Sequence, residues 1–334
     1  PVLLADGIGY VALTIFSKQS AVELESAVDS LKTAGMKSLL LDLRGDPGGL
    51  LEEGVGVADL FLDQGQTIVS LRGRTITSPQ FYYDRAPQRW PDLPVTLLVD
   101  GGSASASEIV TGALQDHDRA LVLGTTTYGK GSAQNVFAMP NGGAVKLTTA
   151  LWYTPSGRSI NKKPASDTVG ADTSMAKRPK FKTDAGRKVL GGGGITPDIV
   201  IPARQLSASD SALVRAIGKN GGPFNDALAD YALSLKGSKG VSSPEFAVTP
   251  AMRAEVLRRM RARGAAIDSA ALAAAVPSLD RQIAVVIDRY VFGDLAGFRR
   301  ALADDPTVNR AVAIIHGAST EQALLERATP AAAR

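Results

Sequence analysis

Apolar residues fall into two patterns along this chain. Over the first two hundred residues, short apolar runs alternate with amphipathic stretches. Residues 9–15 (GYVALTI) predict a strand, and 21–34 set Leu24, Val28, Leu31 and Ala34 on one helical face that stops at Gly35. Residues 38–43 (SLLLDL) are almost continuously apolar, as a parallel strand covered on both faces should be. The turn Arg44-Gly45-Asp46-Pro47-Gly48-Gly49 breaks that run before helical periodicity resumes over 50–62. The same order recurs: 94–99 predicts a strand, Gly101-Gly102 a turn, and Ile109, Val110, Ala113 and Leu114 a helix. A further strand at 120–123 (ALVL) leads into Tyr128-Gly129-Lys130-Gly131. Strands are also predicted at 67–71 and 80–83, a hairpin at 133–139 and 144–153 around Pro140-Asn141-Gly142-Gly143, and a returning strand at 195–201.

From about Ser207 the pattern turns helical, with segments at 210–217, 225–235, 250–263 and 280–292. Thr249-Pro250 is a start signal, a capping hydroxyl followed by proline in the first turn. The domain reading is an α/β core over 1–160 and 187–204, an inserted flexible loop over 161–186, and a helical region over 205–334. Between Asn161 and Leu190 eight basic residues face three acidic ones, which predicts a solvated basic loop. The arginines Arg253, Arg258, Arg259, Arg261 and Arg263 likewise predict a solvated helix face, and no nucleic-acid motif accompanies either stretch.

Composition adds little beyond limits. At 334 residues, 44% hydrophobic and net charge +4, the chain can bury one large core or two. The absence of cysteine excludes disulfides and thiolate metal sites. The first residues carry no methionine, basic n-region or long apolar run, so neither a signal peptide nor a membrane span is visible; a processed or trimmed start is expected.

The candidate chemistry lies between Val99 and Gln134. Ser105-Ala106-Ser107-Glu108 has the form of a capping box, and a serine at a helix mouth is also placed for nucleophilic attack beside a free N–H. A Ser-His-Asp triad is hard to build, because only His117 and His316 exist. A continuous helix puts His117 about 18 Å from Ser105. Lys130 is the alternative base: desolvated between glycine-rich backbone and apolar strands, it would hold a neutral amine, although an exposed turn lysine is the plainer reading. Residues 124–130 also match the start of a phosphate loop, but Gly131 replaces the hydroxyl that binds magnesium and a strand pattern follows.

Three blocks, LLLDLRGDPGGLLEEGVGVADLF, SASASEIVTGALQDHDRALVLGTTTYGKGSAQ and LWYTPSGRSI with GGGGITPDI, resemble the carboxyl-terminal processing, or tail-specific, peptidases over roughly 8–160 and 187–201. The resemblance implies a crotonase/ClpP-like α/β core with a parallel-rich sheet and a serine endopeptidase acting on unfolded or tail-exposed polypeptides without metal or cofactor. It implies Ser105 as nucleophile, Lys130 as base, Gln134 as the residue orienting the lysine, and Glu108 as support. The oxyanion hole falls to Ala106 N–H and to Gly48 or Gly49, between which the sequence does not choose. Members carry a PDZ domain ahead of the core; here that region is either absent from the protein or upstream of the first strand. Extracytoplasmic location and self-assembly through the helical region follow from the resemblance alone. A non-catalytic binding module, an acyl-CoA enzyme and a scaffold or autoinhibited protease remain the alternatives.

Overall fold

The continuous apolar runs become the strands of one central sheet. In chain order the first part comprises β1 (Val2–Leu3), β2 (Ile8–Ala12), α1 (Ser20–Thr33), β3 (Ser38–Asp42), α2 (Leu51–Asp59), β4 (Thr67–Gly73), β5 (Gln80–Tyr83), β6 (Val95–Val99), α3 (Ala106–Asp116) and β7 (Leu121–Gly124). Then follow β8 (Ser132–Ala138), β9 (Ala144–Tyr153), β10 (Lys180–Lys182), β11 (Lys188–Leu190) and β12 (Ile199–Val200). The structure, a computed structural model, describes residues 1–73, 79–162 and 178–328.

The central sheet has the order β1-β2-β3-β6-β7-β12, parallel throughout except for the β1–β2 pair. Every residue of β3, β6 and β7 is buried, as the unbroken apolar runs require. Helices α1, α2 and α3 bring Leu24, Val28, Val57, Ala58, Val110 and Leu114 into the same core. A second, antiparallel sheet has the order β5-β4-β9-β8. The expected α/β core with a parallel-rich sheet is therefore present. Its most useful property is local: the chain leaves adjacent parallel strands β3, β6 and β7 at neighbouring carboxyl ends, where open α/β sheets place their sites.

The basic segment differs in part from its expectation. Residues 163–177 lie outside the described residues, but the rest of the segment is ordered by pairing: Lys180–Lys182 aligns with Lys188–Leu190 as an antiparallel hairpin. Arg187 is shared between Asp118 (2.5 Å) and Asp198 (2.6 Å), and Arg178 donates to the carbonyls of Gly191 and Gly194. Arg178 and Arg187 are thus drawn inward by hydrogen bonds and ion pairs, while Lys180, Lys182 and Lys188 remain exposed, as a solvated basic face should be.

The helical region comprises α4 (Ala208–Ile217), α5 (Gly221–Ser238), α6 (Pro250–Ala262), α7 (Ser269–Phe292), α8 (Asp294–Ala303), α9 (Pro306–Ile315) and α10 (Glu321–Leu325). Arg204–Asn309 forms a unit of its own; from Arg310 the chain groups with the sheet unit, whereas periodicity alone assigns it to the helical region. Within the helical unit Ala275, Leu279, Ile283 and Ile287 of α7 join Leu228 of α5 and Val256 of α6 in one core. The stretch Ala270–Phe292 is long and apolar enough to cross a membrane by composition. Its Asp280 and Asp288 pair with Arg253 and Arg300.

Candidate active site

The three turns at the carboxyl ends of β3, β6 and β7 are stitched together by side chains. Gly45 and Gly102 N–H both donate to Asp100 Oδ1 at 2.8 Å, and Ser103 Oγ donates to the Leu43 carbonyl at 2.7 Å. The β3 turn is thereby fixed beside the turn that carries Ser105. Ser105 is the N-cap of α3 with φ 58° and ψ −114°. A non-glycine residue holds such a backbone only under constraint from its surroundings, a form of strain concentrated at functional sites.

The constraint comes chiefly from Glu108, which is fully buried. Its Oε1 accepts from Thr127 Oγ1 (2.6 Å) and Gly129 N–H (2.7 Å); its Oε2 accepts from Lys130 N–H (2.9 Å) and Ser105 N–H (3.0 Å). One carboxylate oxygen thus holds the amides of both Ser105 and Lys130, so the two nitrogens lie no more than about 6 Å apart by those distances. Burial pushes the Glu108 carboxyl up, and the four donors pull against it. Ser105 and Glu108 have the form of a capping box, of which the glutamate half is a hydrogen bond. The Glu108 amide donates to the Ser105 carbonyl (2.9 Å) and faces the Ser105 side chain in the same capping box.

Gly48 lies against the same turn. With φ +89° it is confined to the left-handed region, and a Cβ there would sit 2.7 Å from Ser105 Cβ and 2.8 Å from Ala106 N. The structure also separates the two glycines. Gly48 N–H donates to Asp46 Oδ1 at 2.8 Å and is thus already engaged, while the amides of Gly49 and Ala106 are left without an acceptor among the described residues.

Two expectations are not met. Lys130 is exposed, not desolvated between strands: it lies in the loop before edge strand β8, and its backbone amide is held by Glu108. Gln134 is exposed as well, and its amide donates to Thr148 Oγ1 (3.3 Å) rather than meeting the lysine. Lys130, Ser132, Thr148 and Leu151 line a cavity of about 820 Å³ together with Gly101 and Tyr128. The histidines stand elsewhere. His117 caps the far end of α3 against Asp184 (2.7 Å) and the Thr67 carbonyl (2.8 Å), and exposed His316 meets Asp6.

Sequence reasoning passed over Asp46 and Thr127. An aspartate two residues before a glycine in a Pro-Gly turn is a recognisable signal for a side-chain-to-amide bond. Nothing local announces Thr127, whose hydroxyl oxygen accepts Ile195 N–H (2.7 Å) while donating to Glu108.

Residues 7–174 match the family described as Peptidase family S41. The carboxy-terminal-processing protease of Bartonella bacilliformis is 45% identical over 157 residues, covering 46% of this chain and 36% of that one. The carboxy-terminal processing protease CtpA of Bacillus subtilis is 34% identical over 204 residues, covering 61% and 43%. The chain thus spans less than half the length of these relatives. Among solved structures, the photosystem II D1 C-terminal processing protease aligns with 65% of this chain and 49% of its own, at 28% identity and a TM-score of 0.47. With half of its residues inside the family match, and with the serine, lysine and glycine turns all within the matched stretch, the chain belongs to peptidase family S41.

Proposed function

We propose that this chain is a serine-type endopeptidase that cleaves unfolded or tail-exposed polypeptides through a Ser105–Lys130 dyad and an acyl-enzyme. The observation that carries the reading is the pair of hydrogen bonds from Ser105 and Lys130 amides to one Glu108 oxygen. A helix cap needs the first of these bonds but has no use for the second. The family membership and the processing-protease names of the relatives support the same reading.

In the proposed cycle the neutral Lys130 amine takes the Ser105 proton as Oγ attacks the peptide carbonyl. The new oxyanion is received by Gly49 and Ala106 N–H, neither of which has an acceptor among the described residues. Lys130 then returns the proton to the leaving amine, and a water it activates hydrolyses the ester. Gln134 can orient the lysine only after its amide leaves Thr148. Exposed Lys130 requires closure by substrate to lose its water; catalytic contacts of this kind tighten on binding.

That same exposure is the one observation favouring the alternative, a non-catalytic binding module. Ser105→Ala and Lys130→Ala decide between them. Each is expected to abolish cleavage of casein while leaving the circular dichroism spectrum intact, and activity surviving in either variant sinks the dyad. Extracytoplasmic location and self-association through Arg204–Asn309 are further proposals, tested by cell fractionation and by sedimentation of the chain with and without that unit.

A further inference from the structure

The turn opposite Ser105 is held by a buried acid that no step of the proposed cycle uses. Asp46 has no exposed surface. Its Oδ1 accepts Gly48 N–H at 2.8 Å. Its main-chain carbonyl accepts Ala104 N–H (2.9 Å) and Ser107 Oγ–H (3.0 Å). Those two donors flank Ser105 in sequence, so one residue registers the glycine turn against both sides of the candidate nucleophile. On its other side the turn is clamped by Phe16, whose N–H donates to the Gly48 carbonyl (3.1 Å) and whose carbonyl accepts Leu50 N–H (2.9 Å). Between these two clamps only Gly49 N–H is left facing no acceptor among the described residues.

We propose that Asp46 is a positioning residue for the oxyanion hole: by engaging Gly48 N–H and gripping residues 104 and 107, it aims Gly49 N–H at the point that Ala106 N–H also faces. The inference rests on the reading of Ser105 as nucleophile. The side chain is needed as an acceptor, and its charge is not. A full negative charge behind a developing oxyanion would oppose it, and burial pushes this carboxyl up to about 6, which brings the neutral form within reach near neutrality. Asp46 Oδ2 is buried without a hydrogen-bond partner among the described residues, and burial outweighs the Gly48 and Ser107 donors that favour the charged form.

The conservative variant therefore separates positioning from bulk stability. Asp46→Asn keeps an oxygen for Gly48 N–H and is expected to hold kcat within about threefold of the parent enzyme. Asp46→Ala frees Gly48 N–H and the turn, and is expected to lower kcat by roughly 10–100-fold, less than the loss of a whole donor, with KM changed little. Turnover of a casein-derived fluorogenic peptide gives both constants. Equal loss in the Asp46→Asn and Asp46→Ala proteins overturns the proposal, and so does parental kcat in the alanine variant. If Asp46→Ala does not fold, Asp46→Ser replaces it, since a serine hydroxyl still reaches the amide two residues on. An intermediate kcat then supports the idea, and parental kcat overturns it. Labelling of Ser105 by a fluorophosphonate in the parent enzyme tells the two failures apart. Absence of label there removes the underlying dyad, whereas a labelled parent beside a fully active Asp46→Ala removes only the role of Asp46.

Discussion

Glu108 offers the sharpest perturbation of the site. Its carboxylate takes four donors in a fully buried position: Ser105, Gly129 and Lys130 N–H and the Thr127 hydroxyl. Removing it in Glu108→Ala leaves all four without an acceptor. At about 1–3 kcal/mol for each buried donor, that loss of at least about 4 kcal/mol rivals the whole stability of a domain. Glu108→Gln is the finer probe, because its amide has only one acceptor end. With that oxygen toward Thr127 and Gly129, the NH₂ faces the Ser105 and Lys130 amides and two donors are lost, about 2–6 kcal/mol. Turned the other way, Gly129 N–H is lost, about 1–3 kcal/mol. Either arrangement shifts the serine turn relative to the lysine turn, and a displacement of about 1 Å costs on the order of 100-fold in rate. Urea denaturation and casein turnover of the glutamine variant measure both effects. Parental stability together with parental kcat in Glu108→Gln would refute the idea that one carboxylate assembles the site.

Gly48→Ala should cost at least about 1–3 kcal/mol and roughly 100-fold in activity, since its Cβ would meet Ser105 Cβ at 2.7 Å and Ala106 N at 2.8 Å. Gly65→Ala is its control: it shares the φ of +89° but has open space around it, so strain alone should cost about 1 kcal/mol with activity intact. Glu321 accepts from Val95 N–H (2.8 Å) and Arg119 Nη1 (2.9 Å), yet burial pushes its carboxyl up to about 8 against both. A carboxyl raised in the folded state stabilises fully below its unfolded value, about 4.3, and that contribution is lost as pH rises through 8. Melting temperature should therefore fall from pH 5 to pH 9, and Glu321→Gln, permanently neutral, should flatten the slope. An unchanged slope in the glutamine variant contradicts this assignment.

The features legible in the sequence are those carried by local pattern. The continuous apolar runs of β3, β6 and β7 and the glycine turns after β3 and β6 could be read directly, and the hairpin of β8 and β9 falls within one residue of its expected bounds. The site's serine, lysine and glycines were marked by the turns that hold them. Long-range hydrogen bonds leave no periodicity to read. The Glu321–Val95 bond spans 226 residues, and nothing near Glu321 signals that this helix returns to the head of β6. The β10–β11 hairpin was hidden by its charge, because an arginine that pairs inward, as Arg187 does, looks like part of a solvated run until Asp118 and Asp198 are beside it. Lys130 illustrates the opposite error: glycine neighbours and apolar strands suggested burial, but the loop that leads into edge strand β8 leaves its side chain open.

The most direct test of the dyad is the rate at which a fluorophosphonate modifies the protein, with the adduct mapped by mass spectrometry in the parent and in Lys130→Ala. A serine activated by Lys130 predicts a single adduct on Ser105, formed at least about 100-fold more slowly once the lysine is gone. An adduct on another residue, or an unchanged rate on Ser105 in the lysine variant, would contradict it.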